Sequence, residues 1–541
     1  MSRRLRTALA VFSLAMTVTV TVAACGGGGG DKGGPPAPGK GLSSGTPVPK
    51  GDIDAFTWVS YAEPPTLDYV HAFDYPQNMV LSNVCESLMR WTPDLKEEPG
   101  LAEKAEQRDP KTLVYTIRKG VRFHSGAEMT ADDVVASLNR HLDEKVGSYW
   151  VSSFRNVESI TKTGPMEVTV RFKRPDALFN LEMGASPGTV VSAASVKAQG
   201  RAFGTADGGL DCTGPFKLGA WTKGQSIQLD RFDGYWRKKA RSGKVTFTFV
   251  PDTAARTNAL VTGEADGGYL IPAASIAPLR SSGAGTVYGG PNLTTANLIV
   301  SDLSNGTLAD VRVRQALSLA IDREGLVKAA LGEYSAPTLV PGPVQAWRNA
   351  ADARPAAPAV KRDVEAARKL VAEAGAQGKK IVIATSNAAP EFPVISNSVQ
   401  AAAKEIGLAA EVRTIAPDAY TALFSDPEAR KGIDLFPTFW YLSATDPLEL
   451  YGLFATGQFE NYGGFSDPAY DKLVDAAESE FDRVERARLT AKLQETVATQ
   501  LPWIPLADLD NVMFLGKRIT GAPTSISYLY YPWAADIGAA G

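Results

Sequence analysis

Two periodicities interleave along this chain, and that interleaving limits its fold more than any other feature. Residues 113–118, 167–172 and 244–250 alternate apolar and polar side chains as half-buried strands do. Between such stretches lie helices with well-marked ends. Thr130 and Asp133 form a capping-box variant that opens a helix running toward Leu142. Asp310 is placed to cap a helix whose Val313, Ala316, Leu317, Ala320 and Ile321 share one face. Asp467 followed by Pro468 reads as N-cap and first helical residue of another. Asp482 and Glu485 open the next, whose stripe of Leu489, Leu493, Val497 and Leu501 ends at Pro502. A chain built this way is α/β, and its stripes are core faces that need no cofactor.

The N-terminus obeys different rules. Arg3, Arg4 and Arg6 precede an uncharged apolar run over residues 8–22, too short for the roughly 20 residues that span a bilayer. Small residues Ala23 and Ala24 follow, so residues 1–24 read as a secretory signal peptide. Val22-Ala23-Ala24-Cys25 resembles the lipobox of bacterial lipoproteins, which implies that Cys25 is lipidated and becomes the first mature residue. Residues 25–51, rich in Gly, Pro, Ser and Lys, cannot bury a core and are expected to form a disordered leash. Residues 34–40 of that leash match the start of a phosphate-binding loop. Prolines there lack the N–H groups such a loop aims at phosphate, and Gly41 stands where Ser or Thr is required.

Composition excludes other classes. Lys plus Arg number 56 against 59 Asp plus Glu, a net charge of −3, so no basic excess points to nucleic acid. With Cys25 lipidated, Cys85 and Cys212 face an oxidising compartment. A disulfide between them and two unpaired buried thiols are both open readings. Gly184-Ala-Ser-Pro-Gly188 matches the G-x-S-x-G elbow of hydrolases, but Pro187 cannot donate the N–H that an oxyanion needs. The three histidines, His71, His124 and His141, all precede that serine and form no zinc motif, so neither catalysis nor a metal or other cofactor is expected.

Several stretches resemble, in order, the family 5 solute-binding proteins of ABC transporters, which include dipeptide-, oligopeptide- and nickel-binding proteins. The strongest match runs from Tyr115-Thr-Ile-Arg-Lys-Gly-Val-Arg-Phe-His-Ser-Gly126 into Met129-Thr-Ala-Asp-Asp-Val134. Others are Cys85-Glu-Ser-Leu88, Thr213-Gly-Pro-Phe216, Asp233-Gly-Tyr-Trp236, Val311-Arg-Val-Arg-Gln-Ala-Leu317, Ala320-Ile-Asp-Arg323 and Asp446-Pro447. The resemblance implies a two-lobe periplasmic-binding-protein-like fold of the enlarged type II, with an extra subdomain in the first lobe. It places lobe I at 52–292 with the subdomain near 89–204, lobe II at 293–501, and a return to lobe I over 502–541.

It also implies a ligand cleft walled by Tyr61 and Glu63 from the first lobe and Trp440, Tyr441, Ser443 and Asp446 from the second. In peptide-binding members an aspartate three positions before the "DP" aspartate pairs with the ligand's amino group. Here that position is Ser443, whose neutral hydroxyl cannot offset the desolvation of a buried ammonium. Asp446 or Glu63 is then expected to take over, or the ligand lacks a free amine. The expected function is the lipid-anchored, extracytoplasmic, monomeric receptor of an ABC importer, delivering a peptide or peptide-like solute to permease and ATPase subunits. The alternatives are a secreted lipid-anchored hydrolase and a ligand receptor that signals without transport.

Overall fold

The computed structural model describes residues 45–541; the leader, Cys25 and the loop over 34–41 lie outside them. Two long antiparallel strands, Gly285–Val300 and Trp503–Gly516, form the centre of an 11-stranded sheet. Their ladder is continuous from Gly285 to Gly290, slips between Gly290 and Thr294, and runs on to Ile299 with a second slip between Ala296 and Asn297. On one side of the slip, Trp503–Gly516 pairs with Gly267–Tyr269, and the sheet continues through Ile53–Ser60, Ser242–Phe249, Ser226–Arg231 and Phe216–Thr222. On the other, Gly285–Val300 pairs with Leu435–Tyr441, followed by Lys380–Thr385 and Ala409–Thr414. The result is a two-lobe α/β fold in which one strand pair belongs to both lobes.

The alternating segments and caps read from sequence form as expected. The strands are Thr112–Ile117, Glu167–Phe172 and Ser242–Phe249. Thr130 caps Ala131–Asn139, with its N–H and hydroxyl donating to Asp133 at 3.0 and 2.9 Å. Asp310, Asp467 and Asp482 cap Val311–Ala320, Pro468–Glu478 and Arg483–Gln500. Leu501 then adopts a left-handed conformation (φ 48°) before Pro502 ends the helix.

A separate four-stranded antiparallel sheet, Ala102–Asp109, Thr112–Ile117, Glu167–Phe172 and Val157–Gly164, packs under Ala131–Asn139 around its own apolar core of Tyr115, Ile117, Phe123, Val134 and Phe154. The chain leaves the main body for this unit after the fully buried helix Tyr75–Val84 and returns near residue 212. A disulfide joins Cys85 to Cys212 at that neck, with Cα atoms 4.8 Å apart and a sequence separation of 127.

The C-terminal segment packs back against the same helix. Trp533 donates its indole N–H to the Met79 carbonyl at 3.1 Å, and Tyr528 stacks on Tyr269 at 3.8 Å. The same segment corrects the expected extent of the leash. Residues 45–51 are strapped to it: Thr46 donates to the Ala522 carbonyl at 2.9 Å, Thr520 to the Pro47 carbonyl at 2.7 Å, and the Lys50 N–H to the Ala539 carbonyl at 2.9 Å. Composition alone suggested a free spacer there, because the partners that satisfy its backbone lie more than 470 residues away.

The disulfide closes a loop long enough that cross-linking is expected to stabilise the protein by roughly 2–5 kcal/mol. Replacing Cys85 and Cys212 together by Ala should lower the unfolding free energy in urea by about that amount. Equal stability of the two proteins would contradict it.

Candidate functional site

A cavity of about 910 Å³ lies against the shared strands and takes wall residues from both lobes and from the subdomain. Helix N-termini build much of it. Asp74 caps Tyr75–Val84 through a capping box with Gln77, which brings Phe73, Asp74 and Tyr75 onto the wall. Asp252 caps Thr253–Thr262, and Glu391 opens Glu391–Glu405. The shared strands contribute Asn292, Thr294 and residues 509–512, where the ladder has slipped and side chains are freed from sheet packing.

Of the residues expected at the site, Tyr61, Trp440, Tyr441 and Ser443 line this cavity. The Tyr61 hydroxyl donates to Asp74 at 3.2 Å. Tyr441 sits at the meeting point of the walls. Its hydroxyl donates to the Phe73 carbonyl at 2.8 Å and accepts from Asn78 at 3.1 Å, while its ring lies 4.9 Å from that of Tyr75. Trp440 is half-buried, backed by Trp503 at 5.0 Å.

Glu63 and Asp446, also expected at the site, are not on that wall. Both oxygens of Glu63 are engaged elsewhere, accepting from the Trp221 indole at 2.7 Å and the Gly224 N–H at 2.8 Å beside a separate small recess. Asp446 is buried and pairs with the equally buried Arg486 through contacts of 2.9 and 2.7 Å, its other oxygen accepting from the Leu448 N–H at 3.0 Å. It is a structural anchor for helix Arg483–Gln500.

The carboxylate that reaches the Ser443 position is Glu449. It accepts the Ser443 N–H at 2.7 Å, the Ser443 hydroxyl at 2.8 Å and the Ala444 N–H at 2.7 Å. Burial pushes its carboxyl up to about 7. Burial likewise raises Glu391 to about 7 and Glu182 to about 8, the latter helped by the charges of Asp176 and Glu449. Asp510, on the shared strand, is held at about 8 by burial and by Asp508. Sequence reading passed over these four. Glu449, three residues after the Asp446-Pro447 turn, was the one with a local signal.

The serine of the G-x-S-x-G match is buried and donates to Asn78 at 2.8 Å. His124 packs on Phe232 and bonds the Gly214 carbonyl at 3.0 Å, and burial lowers it to about 4. Neither lines the cavity.

Residues 96–462 match the family model of bacterial extracellular solute-binding proteins, family 5 Middle, and the chain belongs to that family. The glutathione-binding protein GsiB of Salmonella paratyphi A is 27% identical over 470 residues, covering 84% of this chain and 89% of its own length. The periplasmic binding protein DppA of Helicobacter pylori, solved with the peptide STSA, superposes with a TM-score of 0.82 at 20% identity, over 91% of this chain and 99% of its own. The oligopeptide-binding protein AppA of Bacillus subtilis, solved with a nonapeptide, gives 0.80 at 22%, over 91% and 100%. Both share the two-lobe fold.

Two outcomes follow from the geometry. Asp446→Ala leaves Arg486 buried without its partner and should cost about 3–5 kcal/mol of stability in urea unfolding; a loss below 1 kcal/mol would return Asp446 to the ligand site. The second concerns pH. Glu182, Glu391, Glu449, Asp508 and Asp510 titrate in the folded protein at about 7–8, above the value near 4 of an unfolded carboxyl. Their stabilising contribution is present in acid and is lost as pH rises through the folded values. The ligand-free protein should therefore melt at a lower temperature at pH 8.5 than at pH 6.5. His124 and His141, lowered to about 4 and about 3, act with opposite sign only below that window.

Proposed function

We propose that this protein is the extracytoplasmic receptor of an ABC importer, anchored by lipid at Cys25, that captures a peptide-like solute between its lobes and delivers it to a permease. The observation that carries this reading is the 910 Å³ cavity walled by both lobes in a chain of the family 5 solute-binding fold. Its volume is that of sites holding drug-sized ligands, in the range of roughly 300–1,000 Å³. Aromatic faces supply contact area, and Glu449, presented by Ser443 and Ala444, supplies a carboxylate where the peptide-binding pattern would place one. Relatives whose names specify glutathione, a tetrapeptide and a nonapeptide support a peptide-like cargo.

In this reading the lobes swing about the two shared strands, and contacts made only in the closed form shift the population toward it. Docking of the closed form on the permease follows, with ATP hydrolysis left to partner subunits. The lipid and the chain between Cys25 and the strap keep the receptor close to its permease, raising their effective concentration.

Native mass spectrometry of freshly purified protein should find a co-purifying small molecule. Trp440→Ala should weaken its affinity about fivefold or more, corresponding to roughly 1 kcal/mol of aromatic contact. An unaltered affinity in the folded variant would remove Trp440 from the site, and turnover of the bound molecule would overturn the receptor reading.

A further inference from the structure

The four-stranded subdomain touches both lobes, and the two joints differ in kind. Toward the first lobe it is fixed. The Cys85–Cys212 disulfide closes its neck, the Tyr69 hydroxyl donates to the Ser137 carbonyl at 2.7 Å, Arg140 pairs with Asp68 at 2.6 Å, and Ser186 donates to Asn78 at 2.8 Å. Toward the second lobe the joint is built from charges. Glu478, the last residue of helix Pro468–Glu478, is fully buried and enters a socket on the subdomain. Arg155 and Arg174 pair with its carboxylate, the latter at 3.3 Å, and the Asn156 amide donates to it at 3.2 Å. The Glu478 carbonyl accepts the Ala177 N–H at 2.8 Å. Alongside, Arg174 pairs with Asp475, and Arg483 with Glu97 at 2.8 Å.

This seam also borders the cavity. Ser152, on the subdomain, donates to Glu460 at 2.8 Å, and Tyr149 meets Phe459 edge-on at 5.9 Å. Tyr149, Ser152, Arg155 and Glu460 are all wall residues. The subdomain's apolar core around Tyr115 and Phe154 takes in no residue from the second lobe among those described. Parting the seam therefore leaves that core intact and returns Glu478, Arg155 and Arg174 to water. Rehydration of three charges offsets much of the attraction lost between them. Such a joint is specific, because the socket is shaped for one carboxylate, and it is releasable.

Resting on the receptor reading above, the geometry points to a polar clasp: Glu478 in its Arg155, Asn156 and Arg174 socket holds the second lobe shut on the subdomain, and the solute enters and leaves when this clasp parts. Helix Pro468–Glu478 travels with the second lobe, because Tyr470 donates to the Tyr451 carbonyl at 2.5 Å and Tyr451 to Gln494 at 2.9 Å. The subdomain travels with the first lobe through its disulfide neck and the Arg140–Asp68 pair. The lobes are then joined at the shared strands, which persist, and at the clasp, which does not. A contact made only in the closed arrangement favours closure with or without a solute, so its strength sets how often the empty receptor opens.

Hydrogen exchange on the purified full chain reads the clasp directly, because the Ala177 N–H is donated across the seam. Two variants weaken it: Glu478→Gln, and Arg174→Gln combined with Asp475→Asn. The second pair is half-exposed, so it carries the test should the buried change fold poorly. In each, exchange of the peptide holding Ala177 should rise at least tenfold while strands Thr112–Ile117 and Glu167–Phe172 keep their protection. Any solute found by native mass spectrometry should also dissociate from the variants at least fivefold faster. Unchanged Ala177 exchange would overturn the clasp. Exchange that spreads to the two strands would overturn it too, since the contacts would then serve the subdomain's own stability. Faster Ala177 exchange with an unchanged dissociation rate would overturn the passage of solute through this seam. None of these results removes the receptor reading, against which only the lack of a bound solute, or its turnover, would count.

Discussion

The backbone ladder between Gly285–Val300 and Trp503–Gly516 is the contact on which both lobes depend. Each strand satisfies its backbone groups against the other along most of its length, and each then offers its outer edge to a different set of neighbours. The slip between Gly290 and Thr294 sits midway, where the ladder is locally open. Wall residues Asn292, Thr294, Asp510 and Asn511 come from this irregular stretch, so the joint between the lobes and the floor of the cavity are made by the same few residues.

The cavity is costly to build from acidic groups. Burying a carboxylate in a wall without a compensating charge raises its titration point, as at Glu182, Glu391, Glu449 and Asp510. The same chain shows that it can neutralise a buried acid where structure is the purpose. Asp446 has Arg486, Glu478 has Arg155, and Asp68 has Arg140. The contrast separates carboxylates paired to hold the fold from carboxylates that face the cavity.

Much of the fold was legible in the sequence because its signals are local. Capping boxes at Thr130 and the aspartate caps at 310, 467 and 482 act within one helical turn, and period-two alternation acts within one strand. The site was only partly legible. Tyr61, Trp440, Tyr441 and Ser443 line the cavity, but Glu63 and Asp446 are drawn off by Trp221 and Arg486, partners 158 and 40 residues away. Composition described residues 45–51 as spacer for the same reason, since their partners lie at the far end of the chain. Long-range satisfaction of a polar group leaves no mark in its own neighbourhood.

At Ser443 a hydroxyl stands where the peptide-binding pattern has a carboxylate, and a neighbouring glutamate reaches the same place. Read alone, a hydroxyl in place of a carboxylate removes the negative group that an ammonium requires. In the folded chain the turn at Asp446-Pro447 reverses direction, and Asp446, locked to Arg486, fixes the start of Leu448–Gly452. That places Glu449 over the 443–444 backbone, where two N–H groups and the serine hydroxyl hold its carboxylate. A carboxylate at position 443 itself would face Glu449 at close range, and two like charges in a buried wall cannot both stay ionised. The serine therefore leaves room for Glu449 to stand there, and Asp446 holds the turn that positions it.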